Sequence, residues 1–281
     1  MVDMTNASDT PRRWFITGAN SGFGLALVHA ALSAGDEVVA AVRRPETMAD
    51  LVAASGGRVS VVELDLGDRD RLRAAVEAAG RIDILVNNAG FGIVGAIEET
   101  SEAELRNAME VMFFGPLELT RLVLPQMRAR RAGTVVQLTS MGGMLAFPGV
   151  GAYCAAKGAL ELASEALAGE VAPLGINVLI VEPGAFRTGF AAPAALQAVD
   201  ARIADYDGTA GATRDGLPTS HGAQEGDPVK AAAAVLEVLG WKEPPLRLAL
   251  GNDAVDEIRR KLASVGADLD ATEHLGRAMS A

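Results

Sequence analysis

Short, almost continuous apolar runs alternate along most of the chain with longer stretches that repeat apolar residues every three or four positions. The runs are Trp14-Phe15-Ile16-Thr17, the segment EVVAAV at 37–42, and the segments 59–64, 82–86, 134–138, 176–181 and 246–250. Each is bounded by glycine, proline or polar residues, and such runs predict strands buried on both faces. Helical spacing follows in between. Leu25, Val28 and Leu32 lead to a stop at Gly35, and 68–79 places Leu72, Ala75, Val76 and Ala79 on one face. Longer helices are predicted over 102–130, with Ser101 as N-cap, and over 153–172, with two more over 227–239 and 252–278. Gly115-Pro116 predicts a kink in the first of these. Strand-helix alternation with right-handed crossovers implies an α/β fold: a doubly wound parallel sheet in three αβα layers, with ligand groups at the carboxyl ends of the strands.

The rhythm breaks over 189–226, where an alanine-rich piece runs into DYDGTAGATRDG. A loop of that length in a compact domain is usually functional, and it is expected to close over a substrate. No composition break marks a second domain. The expected organisation is a polar, flexible leader (1–12), one domain (13–250) containing that insertion, and a helical extension (251–281).

Composition narrows the function classes. With 49% apolar residues and a mean hydropathy of +0.22, the chain is a folded globular protein. Thirty-six acidic against 25 basic residues give a net charge of -11, which argues against nonspecific binding to nucleic acid or anionic membranes. No apolar run approaches the roughly 20 residues that span a bilayer, and the first dozen residues lack a signal-peptide core. The single cysteine, Cys154, excludes an intrachain disulfide and fits a reducing, cytoplasmic setting. His29, His221 and His274 are scattered, so no metal site is expected.

Candidate chemistry lies in three places. TGANSGFG, residues 17–24, follows a strand and opens a helix, the context in which glycines let the backbone approach a pyrophosphate at a helix N-terminus. Its spacing is G-x-x-x-G-x-G rather than G-x-G-x-x-G. After the second strand, Arg43 and Arg44 stand where an acidic residue would hold ribose hydroxyls. Arginine there suits a 2′-phosphate and favours NADP(H), with NAD(H) as the alternative and a solvated loop as the plainer reading. Tyr153 and Lys157 fall four apart, one helical turn on one face, where an ammonium favours the phenolate; alone, such a pair is common by chance.

TGANSGFG, Asp65-Leu66, NNAG (87–90), Ser140, YCAAK (153–157) and PGAFRT (183–188) stand in this order. Together, over residues 13–250, the chain resembles the short-chain dehydrogenase/reductase family, with its Rossmann-type sheet. The resemblance implies Tyr153 as general acid/base, Lys157 lowering its pKa and binding the nicotinamide ribose, and Ser140 polarising the substrate oxygen. It places Gly18, Asn20, Ser21, Gly22, Phe23 and Gly24 at the pyrophosphate. Asp65 and Leu66 then meet the adenine, Asn88, Ala89 and Gly90 the adenosine side, and Pro183, Gly184, Phe186 and Thr188 the nicotinamide. Phe91, Met141, Met144, Phe147, Val150 and Phe190 would line the pocket, and their apolar character suggests a hydrophobic ketone or alcohol. One position departs: Met112 stands where the family carries an asparagine that supports a helix kink and a proton relay. The implied function is an NADP(H)-dependent ketone/alcohol oxidoreductase. The alternative is a cofactor-binding regulatory protein with weak catalysis, and a lyase or epimerase stands third. The family's usual assembly, through the helices at 102–130 and after Tyr153, implies a homodimer or homotetramer.

Overall fold

The computed structural model describes residues 10–192 and 195–279. Of the expected leader, residues 1–9 lie outside the described residues. Arg12 is already engaged, its backbone N–H and guanidinium both donating to buried Asp36.

Seven parallel strands form the central sheet. In chain order they are β1 (Arg13–Thr17), β2 (Glu37–Val42), β3 (Val59–Glu63), β4 (Ile84–Asn87), β6 (Gly133–Leu138), β7 (Ile176–Pro183) and β9 (Arg247–Leu250), with spatial order β3-β2-β1-β4-β6-β7-β9. The order reverses at β1/β4, the switch point at which such sheets bind ligands. Alternate residues feed opposite faces. Trp14, Ile16, Val38, Ala40, Val86 and Val136 pack under α1 (Gly22–Ser33) and α8 (Pro228–Leu239). Phe15, Val39, Ala41, Leu85, Val135 and Ile180 pack under α3 (Arg69–Ala79), α5 (Gly115–Arg130) and α6 (Gly151–Val171). Strands buried on both sides are apolar almost throughout, which is why the runs are continuous rather than alternating. A short helix, α2 (Ala49–Ala54), enters after the proline turn that follows β2.

Two features differ from the sequence-based expectation. The predicted 102–130 helix is interrupted: α4 (Glu102–Met109), opened by a Ser101/Glu104 capping box, passes into a π-helical turn over Glu110–Phe114 before α5 begins. The distortion therefore lies upstream of Gly115-Pro116, centred on Met112. Gly115 is needed for close approach, since a β carbon there would sit 2.9 Å from the Leu66 carbonyl oxygen.

The insertion is not an open loop. Its β8 (Leu196–Ala198) pairs in parallel with β5 (Gly92–Val94), and its second half folds into α7 (Ala212–Thr219). Fully buried Glu99 accepts the backbone N–H groups of Ala96 and Ile203, each at 2.8 Å, and lies 3.6 Å from the Arg214 guanidinium. These backbone bonds hold its carboxyl below the usual range. The insertion is thus pinned to the segment after β5 by Glu99, and again by Glu104, which accepts the Asp200 N–H at 3.0 Å. Along α6 the glycines face both ways: a β carbon on Gly158 would lie 3.4 Å from the Gly143 carbonyl oxygen, while Gly169 faces open space.

Candidate active site

β1 ends at buried Thr17, whose hydroxyl accepts the backbone N–H of Asn88 (2.9 Å) and Ala89 (3.0 Å). The Asn88 side chain donates back to the Thr17 carbonyl at 2.7 Å, so it braces the glycine turn instead of facing outward. Within that turn Gly18 (φ +63°) and Gly22 (φ +52°) occupy the left-handed region that favours glycine. A β carbon on Gly24 would stand 2.2 Å from the Gly18 carbonyl oxygen. Ser21 precedes α1 without a side-chain cap, and the first turn of α1 holds no acid, so its amide N–H groups remain free for an anion.

Phe23 packs on Phe186 with ring centroids 4.9 Å apart, and Thr188 lies against Gly22. The turn after β7 therefore closes onto the glycine turn. Phe186 itself is core, packed between α1 and α8. Gly184 fits beneath Asp253, whose carboxylate accepts the Ala185 N–H at 2.6 Å.

Asn20 donates to Thr47 at 3.2 Å and ties the turn to the segment after β2, where Arg43 and Arg44 are exposed without an ion-pair partner among the described residues. Asp65 is exposed beyond β3 and turns back to accept the Gly67 N–H, with Leu66 buried behind it. This cradle of left-handed glycines, an uncapped helix N-terminus and two free arginines fits a dinucleotide phosphate chain.

Ser140, Tyr153 and Lys157 meet at the end of β6. Ser140 accepts the Gly142 N–H at 3.0 Å and donates to the Pro183 carbonyl at 3.4 Å. Gly142 is wedged between Ser140 and Tyr153: a β carbon there would be 3.4 Å from Ser140 Oγ and 3.3 Å from the Tyr153 ring. Lys157 is buried and donates to the Leu138 carbonyl at 2.7 Å, with Nζ 5.9 Å from the centre of the Tyr153 ring.

Burial pushes the Tyr153 phenol up to about 12, opposed by its Ser140 hydrogen bond, and pulls Lys157 down to about 8. The expectation that Lys157 lowers the tyrosine is therefore not met in this state. Its ammonium is turned to a backbone carbonyl, and desolvation outweighs it. Gly90 sits between the cradle and Lys157, where a β carbon would be 3.5 Å from both Lys157 Nζ and Met112 Sδ. Met112 is fully buried among Ile93, Ala108, Ala152, Ala156 and Val199.

Phe190 packs edge-on against Tyr153 at 5.3 Å and reaches over Gly92. Phe91 joins the Met112 cluster, whereas Phe147 is exposed and Met141, Met144 and Val150 are half-buried around the turn between β6 and α6. The structure thus brings Phe190 and Phe91 to the tyrosine and leaves the remainder as a rim. Among the described residues no group of His, Cys, Asp or Glu is placed to hold a metal ion.

Two buried polar clusters escaped the sequence reading. Glu161, one turn beyond Lys157, accepts from Thr139 (2.9 Å) and from Arg247 (2.8 Å), and Arg247 lies 3.7 Å from buried Glu182. Asn87 donates to the Gln137 side chain (2.9 Å), to Thr120 and to the Pro116 carbonyl, so it braces α5 just past the π turn. Strand-end position was the available signal, since Asn87, Thr139 and Glu182 all stand at carboxyl ends of strands.

The family model for short chain dehydrogenases matches residues 13–198. The chain is 47% identical to a crystallised short-chain dehydrogenase from Streptomyces avermitilis, with a TM-score of 0.89 over 98% of this chain and 100% of that one. It is similar to the oxidoreductase BOA17 of Botryotinia fuckeliana (39% identity, 95% of this chain and 97% of that protein). It is also similar to a 3-ketodihydrosphingosine reductase of Bacteroides thetaiotaomicron (35%, 86% and 88%). A Burkholderia cenocepacia short chain dehydrogenase crystallised with NADP is 26% identical, with a TM-score of 0.73 over 96% of this chain and 98% of that one. With the glycine cradle at the switch point and Ser140, Tyr153 and Lys157 gathered beside it, these likenesses make this chain a member of the short-chain dehydrogenase/reductase family, an oxidoreductase.

Proposed function

We propose that the protein is an NADP(H)-dependent reductase or dehydrogenase that interconverts a hydrophobic ketone or aldehyde with its alcohol. The observation that carries this reading is the convergence of Ser140, Tyr153 and Lys157 at the end of β6, beside the cradle formed by Gly18, Gly22 and Gly24. The nicotinamide supplies or accepts the hydride. Ser140 orients and polarises the substrate oxygen, while Tyr153 gives it a proton in reduction and takes one in oxidation. Lys157, held near pKa 8 by burial, is poised to exchange a proton near neutral pH. Phe190 and Phe91 offer apolar surface beside the tyrosine, which favours a carbonyl set in a hydrophobic substrate. Mixing protein, NADPH and a panel of such ketones should consume the reduced nicotinamide. Tyr153→Phe should lower that rate by about 10²–10⁴-fold while cofactor binding persists. Tight cofactor binding without turnover across the panel would refute the reading.

Arg43 and Arg44 support NADP(H) over NAD(H), because both are exposed and unpaired beyond β2, level with the glycine turn. Arg43→Ala should weaken NADPH by about tenfold, the order of one charge-assisted contact, and leave NADH nearly unchanged. Equal losses for both would return the choice to NAD(H). A second reading, a cofactor-binding regulator with weak catalysis, rests on Met112, which makes no side-chain hydrogen bond in its apolar cluster. Its π turn persists without an asparagine, which favours the enzyme. A homodimer or homotetramer built through α5 and α6, in a cytoplasmic setting, completes the proposal. Among the described residues no helix is long and apolar enough to cross a membrane.

A further inference from the structure

From Arg259 onward, α9 (Asn252–Arg277) leaves the body of the protein. Ala254 and Ile258 are its only buried residues, and everything from Arg259 to Arg277 except half-exposed Gly266 is exposed. A solitary helix of this length is marginal in water, because helices in proteins draw most of their stability from packing an apolar face. α9 carries such a face. Ile258, Leu262, Val265 and Leu269 follow at intervals of four, three and four residues, the heptad spacing, and the last three are 56%, 48% and 65% exposed. At 3.6 residues per turn they fall within an arc of about 60°.

Charge along α9 comes in blocks. Arg259, Arg260 and Lys261 lie on one side of Val265, and Asp268, Asp270 and Glu273 on the other; Asp253, Asp256 and Glu257 precede them, and His274 and Arg277 follow. Reflecting the helix about Val265 sets the basic block against the acidic block, and Asp253 and Asp256 against Arg277 and His274; Glu257 meets Glu273, but each is already paired within its own helix, with Arg260 and Arg277. Within the helix Arg260 pairs with Glu257 and Arg277 with Glu273, which leaves Arg259, Lys261, Asp268 and Asp270 without a salt bridge among the described residues. In a parallel pair each block would meet its like, at a cost. The pattern is self-complementary in one orientation, which is what a twofold contact between identical chains requires. Acidic residues beside the stripe also oppose an anionic lipid surface.

We propose that α9 is a dimerisation arm: two copies of this chain pair antiparallel through Leu262, Val265 and Leu269, with Val265 near the twofold axis. This contact is separate from α5 and α6 and independent of the catalytic reading.

Light scattering of the full chain measures it. Leu262→Asp/Leu269→Asp should halve the wild-type mass, whether that starts as dimer or tetramer, with nucleotide binding and the melting of the body unchanged because both residues are exposed. A Val265→Cys variant should form a covalent dimer under mild oxidation, while Leu275→Cys, placed far from its own copy in an antiparallel pair, should not. Cys154 is buried, so the unmodified chain serves as the control. Unchanged mass in the double variant overturns the arm, and so does the absence of a Val265→Cys dimer. Cross-linking at both cysteines overturns the antiparallel arrangement. A monomeric wild-type chain that binds phosphatidylserine vesicles through α9 overturns the choice of a second copy as the partner.

Discussion

Lys157 and Glu161 lie one turn apart on α6, both buried, and their surroundings differ in kind. Glu161 accepts from Thr139 and Arg247, and Arg247 also reaches Glu165 on the surface side, so the carboxylate is compensated by protein groups alone. Lys157 gives one hydrogen bond to a backbone carbonyl and faces Tyr153, whose own charge is suppressed by burial. One cluster is a structural joint between α6, β6 and β9 in which Glu161 is fully compensated and neighbouring Glu182 is the one acid left over. The other holds its ionisable groups away from their charged forms, an arrangement that costs stability and is characteristic of a site kept for chemistry.

The largest expected effect comes from exchanging the two kinds of loss. Glu161→Ala takes the carboxylate away from Arg247 Nε and the Thr139 hydroxyl, and should cost about 3–5 kcal/mol in urea unfolding at pH 7, as breaking a buried pair does. Lys157→Met removes a poorly compensated buried amine and should leave stability within about 1 kcal/mol, while turnover falls by about 10²-fold or more. If both variants lose stability alike, the distinction between joint and site is wrong.

Met112 tests the same boundary from the other side. It fills an apolar cluster against α6, so Met112→Asn buries an amide among Ile93, Ala152 and Val199. Melting should report a loss of about 1–3 kcal/mol, the cost of an unpaired buried polar group. Turnover should not rise, because the π turn over Glu110–Phe114 is already formed. A large gain in rate would instead mark the site as degenerate and favour the regulatory reading.

Why one cluster was legible and the other was not follows from distance along the chain. Tyr153 and Lys157 are four residues apart, and the strands announced themselves because burial on both faces demands local apolar runs. Arg247 and Glu161 are separated by 86 positions, so nothing local links them. The pairing of Gly92–Val94 with Leu196–Ala198 is equally remote, and Glu99, which pins the insertion, reads in the sequence as one acid in a polar stretch. The π turn was hidden for another reason. Gly115-Pro116 carries the local signal for a kink, but the distortion is set upstream, where α4 and α5 must both pack against the site. Composition did mark the insertion as unusual; only the fold shows it fastened down.

Glu182 sharpens the comparison with the smallest effect. Burial first, then the charge of Glu161, raise its carboxyl to about 7, against the pull of Arg247. Its Oε1 is buried without a hydrogen bond, 3.7 Å from Arg247 Nε, and Glu165 flanks the same guanidinium. Between pH 4.5 and 7 the folded protein therefore holds a proton that the unfolded chain releases, so stability falls as pH rises through this window. The contribution is on the order of 1–2 kcal/mol once partial solvent screening is allowed for. Glu182→Gln keeps the shape and removes the titration, so its stability should exceed that of the parent at pH 7.5 and approach it at pH 4.5. Parallel pH profiles would mean that Arg247 compensates both acids fully and that the joint holds no excess charge. A slope of the other sign, above about pH 8, would instead belong to Lys157, whose pKa burial lowers from 10.5 to about 8. Its lowered value gives the opposite sign: the folded state releases a proton earlier than the unfolded chain, so stability would rise with pH rather than fall. The sign of the slope alone therefore tells which cluster on α6 carries the uncompensated group.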